Sequence, residues 1–227
     1  MWPPEALEFL RELEDNNDSE WFRRERHRYD RYLVAPAREL AGKLGDLGRP
    51  HFFRPYNNLR FRPGPPLKEH LGVAIGYAGT GGYYVELSLD GLLVAGGLHR
   101  PAPDQLERFR LAIDDDRKAL GFTRAITRAK RAGLTATEPA LKRAPRGYPM
   151  NHPRIDALRM RNVTVTCRHP LEPWLHQPAC DERIRAQLLA ARPLVTWLAE
   201  TVGPSTSVRG RYDGPAVKAA SARSSAG

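Results

Sequence analysis

GYYVELSLDGLLVAGGL (residues 82–98) decides the fold. Tyr83, Val85 and Leu87 alternate with Tyr84, Glu86 and Ser88, the period of two that a half-buried strand requires. Asp90-Gly91 supplies the positive φ angles of a tight turn, so 82–89 and 92–98 are expected to pair as a hairpin. Connections this short join antiparallel neighbours. The same alternation recurs upstream at 57–62 and 70–77, and downstream in NVTVTCR (162–168). These segments predict a mostly antiparallel sheet of about five strands.

The flanking sequence is helical. Ala6, Phe9, Leu10 and Leu13 share one face of a helix over 4–14. Asn17 followed by Glu20 reads as a capping box opening a second helix, which Pro36 kinks or divides. Asp104 with Glu107 repeats that logic for a helix over 104–119, and a basic helix follows at 123–132. A Pro-rich loop (139–150) leads to a short helix at 152–160. A last helix spans 181–200 and turns Ile184, Leu188, Leu194, Val195 and Leu198 inward. The expected fold is α+β, with helices chiefly on one face of the sheet and a single domain over 1–203. Residues 204–227 are small and polar without a hydrophobic period, and read as a disordered basic tail carrying Arg209, Arg211, Lys218 and Arg223.

The chain has no apolar run of membrane-spanning length and no basic leader before an apolar core. These features predict a cytoplasmic protein, with no membrane partner and with Cys167 and Cys180 as thiols.

Strand parity divides the side chains between two faces. Leu59, Phe61, Leu71, Val73, Ile75, Tyr83, Val85, Leu87, Val163 and Val165 point inward. Asn58, Arg60, Arg62, His70, Gly72, Tyr84, Glu86 and Arg168 fall on the opposite, polar face, where the small Gly72, Ala74 and Gly76 leave room.

Net charge is +10, a balance that attracts nucleic acid, phosphorylated metabolites or acidic proteins. Arginine-rich coding bias accounts for part of the total but not for its placement. Residues 1–20 carry net −6, whereas residues 117–146 hold nine bases against Glu138, net +8. Four candidate sites follow. The first is an anion site at a basic polar sheet face, built from Arg60, Lys68, Lys142, Arg143 and Arg146 with Asn58 and Tyr84; arginine forks grip phosphate or carboxylate in two places. The second is a nucleic-acid surface along Arg124, Arg128 and Arg131, one stripe of a helix. The third is a metal site from Cys167, His169, His176 and Cys180 within CRHPLEPWLHQPAC (167–180), whose spacing matches no familiar zinc pattern. The fourth is acid–base chemistry by His152 or His70 with Glu86. No nucleophile elbow, Walker loop or dinucleotide fingerprint appears, so the sequence asks for no cofactor.

Four stretches in this order carry a resemblance: FLRELEDNNDSEWFRRERHRYDRYLVAP (9–36), RFRPGPPLKEHLG (60–72), YYVELSLDGLLVAGGLHRPAPDQLERFRLAI (83–113) and LKRAPRGYPMNHPRIDALRMRN (141–162). Together they resemble the family catalogued as domain of unknown function 2461, over about residues 5–200. The resemblance implies no particular activity or cofactor. The chain keeps the family's Arg60 and Lys68 but departs elsewhere: Asn58 stands where the family usually has Asp, Arg62-Pro63-Gly64-Pro65 replaces a charged Lys-Asp-Lys stretch, and Leu67 stands where Tyr is usual. Chemistry that relied on those carboxylates is expected to be lost here. The leading expectation is a domain that binds an anionic ligand, either a phosphorylated small molecule or nucleic acid. A metal-independent enzyme acting on a phosphorylated or carboxylated small molecule is the alternative, and a protein-interaction module the third. An enclosed pocket where His152 and Glu86 converge distinguishes the enzyme; an open, shallow basic groove distinguishes the binder.

Overall fold

The computed structural model of the chain describes residues 1–59 and 64–206. Three helices open it: α1 (Pro4–Asp15), α2 (Ser19–Tyr29) and, after a π-helical turn at Asp30–Val34, α3 (Ala35–Lys43). Strands β1 (Pro50–Phe52), β2 (His70–Ile75), β3 (Gly82–Ser88) and β4 (Gly91–Leu98) follow. Next come helices α4 (Pro103–Asp114) and α5 (Asp116–Arg131), strand β5 (Thr135–Ala136) and helix α6 (Ile155–Leu158). Strand β6 (Val163–His169) and helix α7 (Ala179–Thr201) complete the fold. The sheet has the order β1-β2-β3-β4-β6-β5 and every pair is antiparallel. No helix among the described residues is long and apolar enough to cross a membrane.

Register puts Val73, Val85, Val94 and Cys167 in one row across the sheet, with Leu71, Leu87, Leu92 and His169 in the next row but one. The apolar members of these rows, apart from the half-buried Cys167, are buried in one core shared with all the long helices. Burying such a side chain stabilises by about 1.5–3 kcal/mol. Helix α7 lies closest to the sheet at β4. A Cβ built on Gly96 would stand 2.6 Å from the Cβ of Ala191, so only glycine admits the helix at this distance. The other face carries His70, Tyr84, Glu86 and Arg168 and is half-buried to exposed, as parity predicts.

Six strands replace the expected five, and the membership changes. Residues 57–59 are irregular and Leu59 is 45% exposed, so its inward assignment fails. Arg60, Phe61 and Arg62 lie outside the described residues. Strands β1 and β5 were not expected. The hairpin turn falls one residue earlier than its sequence suggests. Ser88 pairs with Gly91 across Leu89-Asp90, and only Gly91 takes a positive φ, +120°. The helix expected over 104–119 ends at Asp114, because Asp115 accepts from Lys118 N at 2.9 Å and caps a new helix.

Two further caps differ. Asp18, not Asn17, caps α2 by accepting from the N–H groups of Glu20 and Trp21, both at 2.8 Å. Asp104 accepts instead from Ser205 Oγ at 2.7 Å and Thr206 N at 2.8 Å. Residues 204–206 are thereby fixed to α4, and the expected disordered tail otherwise falls outside the described residues.

Candidate functional site

The polar connection before β2 is built by side chains reaching its backbone. Asn57 Nδ2 donates to Pro65 O at 3.0 Å and to Leu67 O at 2.9 Å. Backbone bonds from Asn57 N to Pro66 O and from Lys68 N to Pro55 O close the base of this excursion. Just before α2, Asn17 bonds both backbone groups of Leu67 and donates to Glu69 Oε1 at 2.7 Å. Beside this base lies a cavity of about 290 Å³, lined by Asn57, Lys68, Glu69, His70, Glu86 and Asp90 among others.

Glu86 is the centre of this cavity's chemistry. Tyr84 Oη donates to Glu86 Oε2 at 2.7 Å, His70 Nε2 stands 3.8 Å from the same oxygen, and Arg168 reaches Oε1 at 3.5 Å. Tyr84 crosses β2 over Gly72; a Cβ there would stand 2.4 Å from the phenol oxygen. Burial holds His70 below the ordinary histidine value; Lys68 and Arg168 reinforce that and Glu86 opposes it. Lys68 donates to Arg54 O at 2.8 Å and lies over the Phe53 ring, and burial lowers its pKa too. Among the described lining residues three carboxylates face one ammonium, and that ammonium is already engaged.

The second cationic group stands elsewhere. His70 pairs with Ser88 at one end of the strands, whereas the connection carrying Lys142, Arg143 and Arg146 leaves and re-enters at the other, where Thr137 N bonds Thr164 O and Leu98 pairs with Val163. That connection is tied to α6 through Ala140, Leu141 and Arg159. His152 Nε2, 3.0 Å from Asp114 Oδ1, and Arg154, 2.8 Å from Asp116, tie it to the α4–α5 junction. The structure therefore separates Lys68 from Lys142, Arg143 and Arg146, and His152 from Glu86. It brings His70, Tyr84 and Glu86 together. Asn58 is exposed, and Arg60 lies outside the described residues.

Helix α5 buries Ala119, Phe122, Ala125 and Ala129 and exposes its bases. Phe122 packs on Phe109 and on Trp197 with centroids 5.6 and 5.3 Å apart, and Trp197 Nε1 donates to Lys118 O at 3.0 Å. An open groove of about 460 Å³ runs between α5 and α7, with Arg128, Arg192 and Glu200 on its walls. Arg117, Lys118, Arg124, Arg128, Lys130, Arg131, Lys142, Arg143 and Arg146 are all exposed. Among the described residues, none of them forms an ion pair or a side-chain hydrogen bond. Several bases elsewhere are answered, Arg28 by Glu12 and Glu25, Lys43 by Asp181, Arg185 and Arg192 by Asp46, whereas the exposed Arg11, Arg23, Arg49 and Arg161 form no ion pair among the described residues and lie scattered along the sequence. The acidic first segment is likewise partly engaged, Glu12 by Arg28 and Asp18 as a cap.

The four soft ligands do not converge. Cys167 Sγ is 3.6 Å from His169 Nε2, but that nitrogen also meets Gln187 Oε1 at 2.9 Å. His176 Nδ1 is 2.9 Å from Trp2 O, and Cys180 is buried in α7, where burial pushes its thiol up to about 11. Among the described residues no group of three His, Cys, Asp or Glu is placed to hold a metal ion.

Two side chains that hold lining residues of the cavity, Asn17 at Leu67 and Glu69 and Arg168 at Glu86, are not among the site residues expected from sequence. Asn17 carried a signal, a polar residue just before a helix, but it read as a cap. Arg168 sat at the polar parity, yet only the β3-β4-β6 register reveals its reach to Glu86. A family model described as Conserved hypothetical protein (DUF2461) matches residues 5–197. No curated protein and no solved structure matches the chain.

Proposed function

From a chain that belongs to the conserved hypothetical family DUF2461, a description that carries no chemistry, we propose that the exposed face of α5 and the 142–146 loop bind a polyanion. One observation carries this reading: nine exposed bases fall within residues 117–146, six of them on α5, and none forms an ion pair among the described residues. Exposed cations left unanswered by the fold are free to meet phosphates or carboxylates from outside. Each phosphate so neutralised releases condensed counterions, which makes binding steeply salt-dependent. The sheet-face cavity supports this reading less, because among its described lining residues three carboxylates face Lys68, which is held by Arg54 O.

The test is binding of the full chain to a labelled 20-base-pair DNA at several salt concentrations, beside the variant Arg124→Gln/Arg128→Gln/Arg131→Gln. The log–log salt slope should become shallower by about 2–3 in the variant, close to 0.9 per lost phosphate contact. A chain that binds nothing polyanionic, or a variant that binds with an unchanged slope, overturns the reading.

A second reading is favoured by the meeting of Tyr84 and His70 on one oxygen of Glu86. A histidine kept neutral by burial is able to accept a proton, and Glu86 stabilises the imidazolium that forms. This suits acid–base chemistry, without metal or cofactor, on a phosphorylated or carboxylated small molecule. Thermal-shift and turnover screens of such compounds test it. A compound recognised by the parent chain and by His70→Gln and Glu86→Gln alike removes the cavity from consideration.

A further inference from the structure

The polyanion reading leaves the partner's class open, and the side chains around the cations narrow it. Arg117, Arg124, Arg128 and Arg131 recur at steps of seven, four and three residues, so they form one ridge on α5. At 1.5 Å per residue this ridge is about 21 Å long and lies on one uninterrupted helix. Single strands are held chiefly by stacking their bases on open aromatic faces. The ridge offers none. Phe109, Phe122 and Trp197 are 0, 6 and 8% exposed and pack on one another beneath the helix. Tyr148, beside the 142–146 loop, is half-buried with its ring edge-on to His152.

The arginines can meet guanine as well as phosphate, but side chains that read the other bases are missing from the ridge. Helix α5 contains no Asn or Gln, the residues that read adenine in pairs of hydrogen bonds. Its exposed hydroxyls are turned back on the helix: Thr123 Oγ1 donates to Ala119 O at 2.9 Å and Thr127 Oγ1 to Thr123 O at 2.8 Å. What remains is a row of guanidinium and ammonium groups, which suits phosphates. A double helix presents those phosphates as a stiff, closely spaced array and needs no ordering to lie along a single helix.

We infer that the partner is a nucleic-acid duplex, gripped through its phosphates along α5 without regard to base sequence. This inference rests on the polyanion reading. The experiment compares, at one salt concentration, an AT-rich and a GC-rich DNA duplex, one of their single strands, and polyglutamate, with fluorescence anisotropy of the full chain. Both duplexes should bind within about threefold of each other and about tenfold tighter than the single strand or polyglutamate. Single strand bound as tightly as duplex, or polyglutamate bound best, overturns the duplex and leaves the polyanion reading standing. Duplexes that differ by tenfold or more overturn sequence indifference. Failure to bind any of the four overturns the polyanion reading itself.

Discussion

Asn17, just before α2, holds both backbone groups of Leu67. Its Oδ1 accepts from Leu67 N at 3.0 Å, and its Nδ2 donates to Leu67 O at 3.2 Å. Leu67 is fully buried, so no solvent replaces these bonds directly. Asn17→Ala should cost about 1–3 kcal/mol, the usual consequence of stranding buried backbone partners. Urea denaturation measures the loss, and amide exchange locates it. Protection at Leu67 should fall by more than the global change; a uniform change across the chain would place the effect elsewhere.

Gly96 on β4 meets Ala191 on α7 with no space between them. Gly96→Ala should destabilise by about 1–3 kcal/mol, the range for overpacking a filled core. The double variant Gly96→Ala/Ala191→Gly moves the methyl from helix to strand and should recover most of the loss. A double variant no better than the single one would show that β4 backbone effects dominate.

Acid should destabilise the fold before carboxylates titrate. Burial holds His51, His70 and His99 below the ordinary histidine value of 6.5. The unfolded chain therefore takes up protons first as pH falls. Stability from these neutral rings is complete above 6.5 and declines as pH drops from there through their lowered values. His70 faces Glu86 and Glu69, which oppose the effect, and Lys68 and Arg168, which reinforce it. Denaturation midpoints should be lower at pH 5 than at pH 7, and His70→Gln should flatten the dependence. An unchanged slope in that variant would assign the effect to the other two rings.

The two cysteines should react very differently. Cys180 is fully buried and its thiol is raised to about 11, whereas Cys167 is half-buried on β6. The thiolate is the reactive form. A thiol reagent at neutral pH should label one cysteine per native chain and two in denaturant, with mass spectrometry placing the first at Cys167.

Much of the sheet was legible because alternation in β2, β3, β4 and β6 coincides with one buried face. Strands β1 and β5 were not, since three and two residues are too few to show a period. Residues 57–59 alternate like a strand, but Asn57 and Asn17 take over the neighbouring backbone through contacts that no local pattern announces. The aspartates at 114–116 are poor helix formers and good caps, a local signal that a continuous helix passes over; which of the three caps is settled by the geometry that lets Asp115 accept from Lys118 N. For the candidate sites, the sequence located the cations and the polar parity of Tyr84, Glu86 and His70. It did not tell which cations are answered. Arg154 and Arg146 look alike in sequence, yet one meets Asp116 across 38 residues and the other meets nothing among the described residues.

Six strands end, at either border, in a stub: Pro50–Phe52 on one side and Thr135–Ala136 on the other. A foreign strand seeking to extend the sheet would find two or three rungs to hold, and a proline among them. Concentrated solutions of this protein should resist the lateral zipping that long bare edges invite.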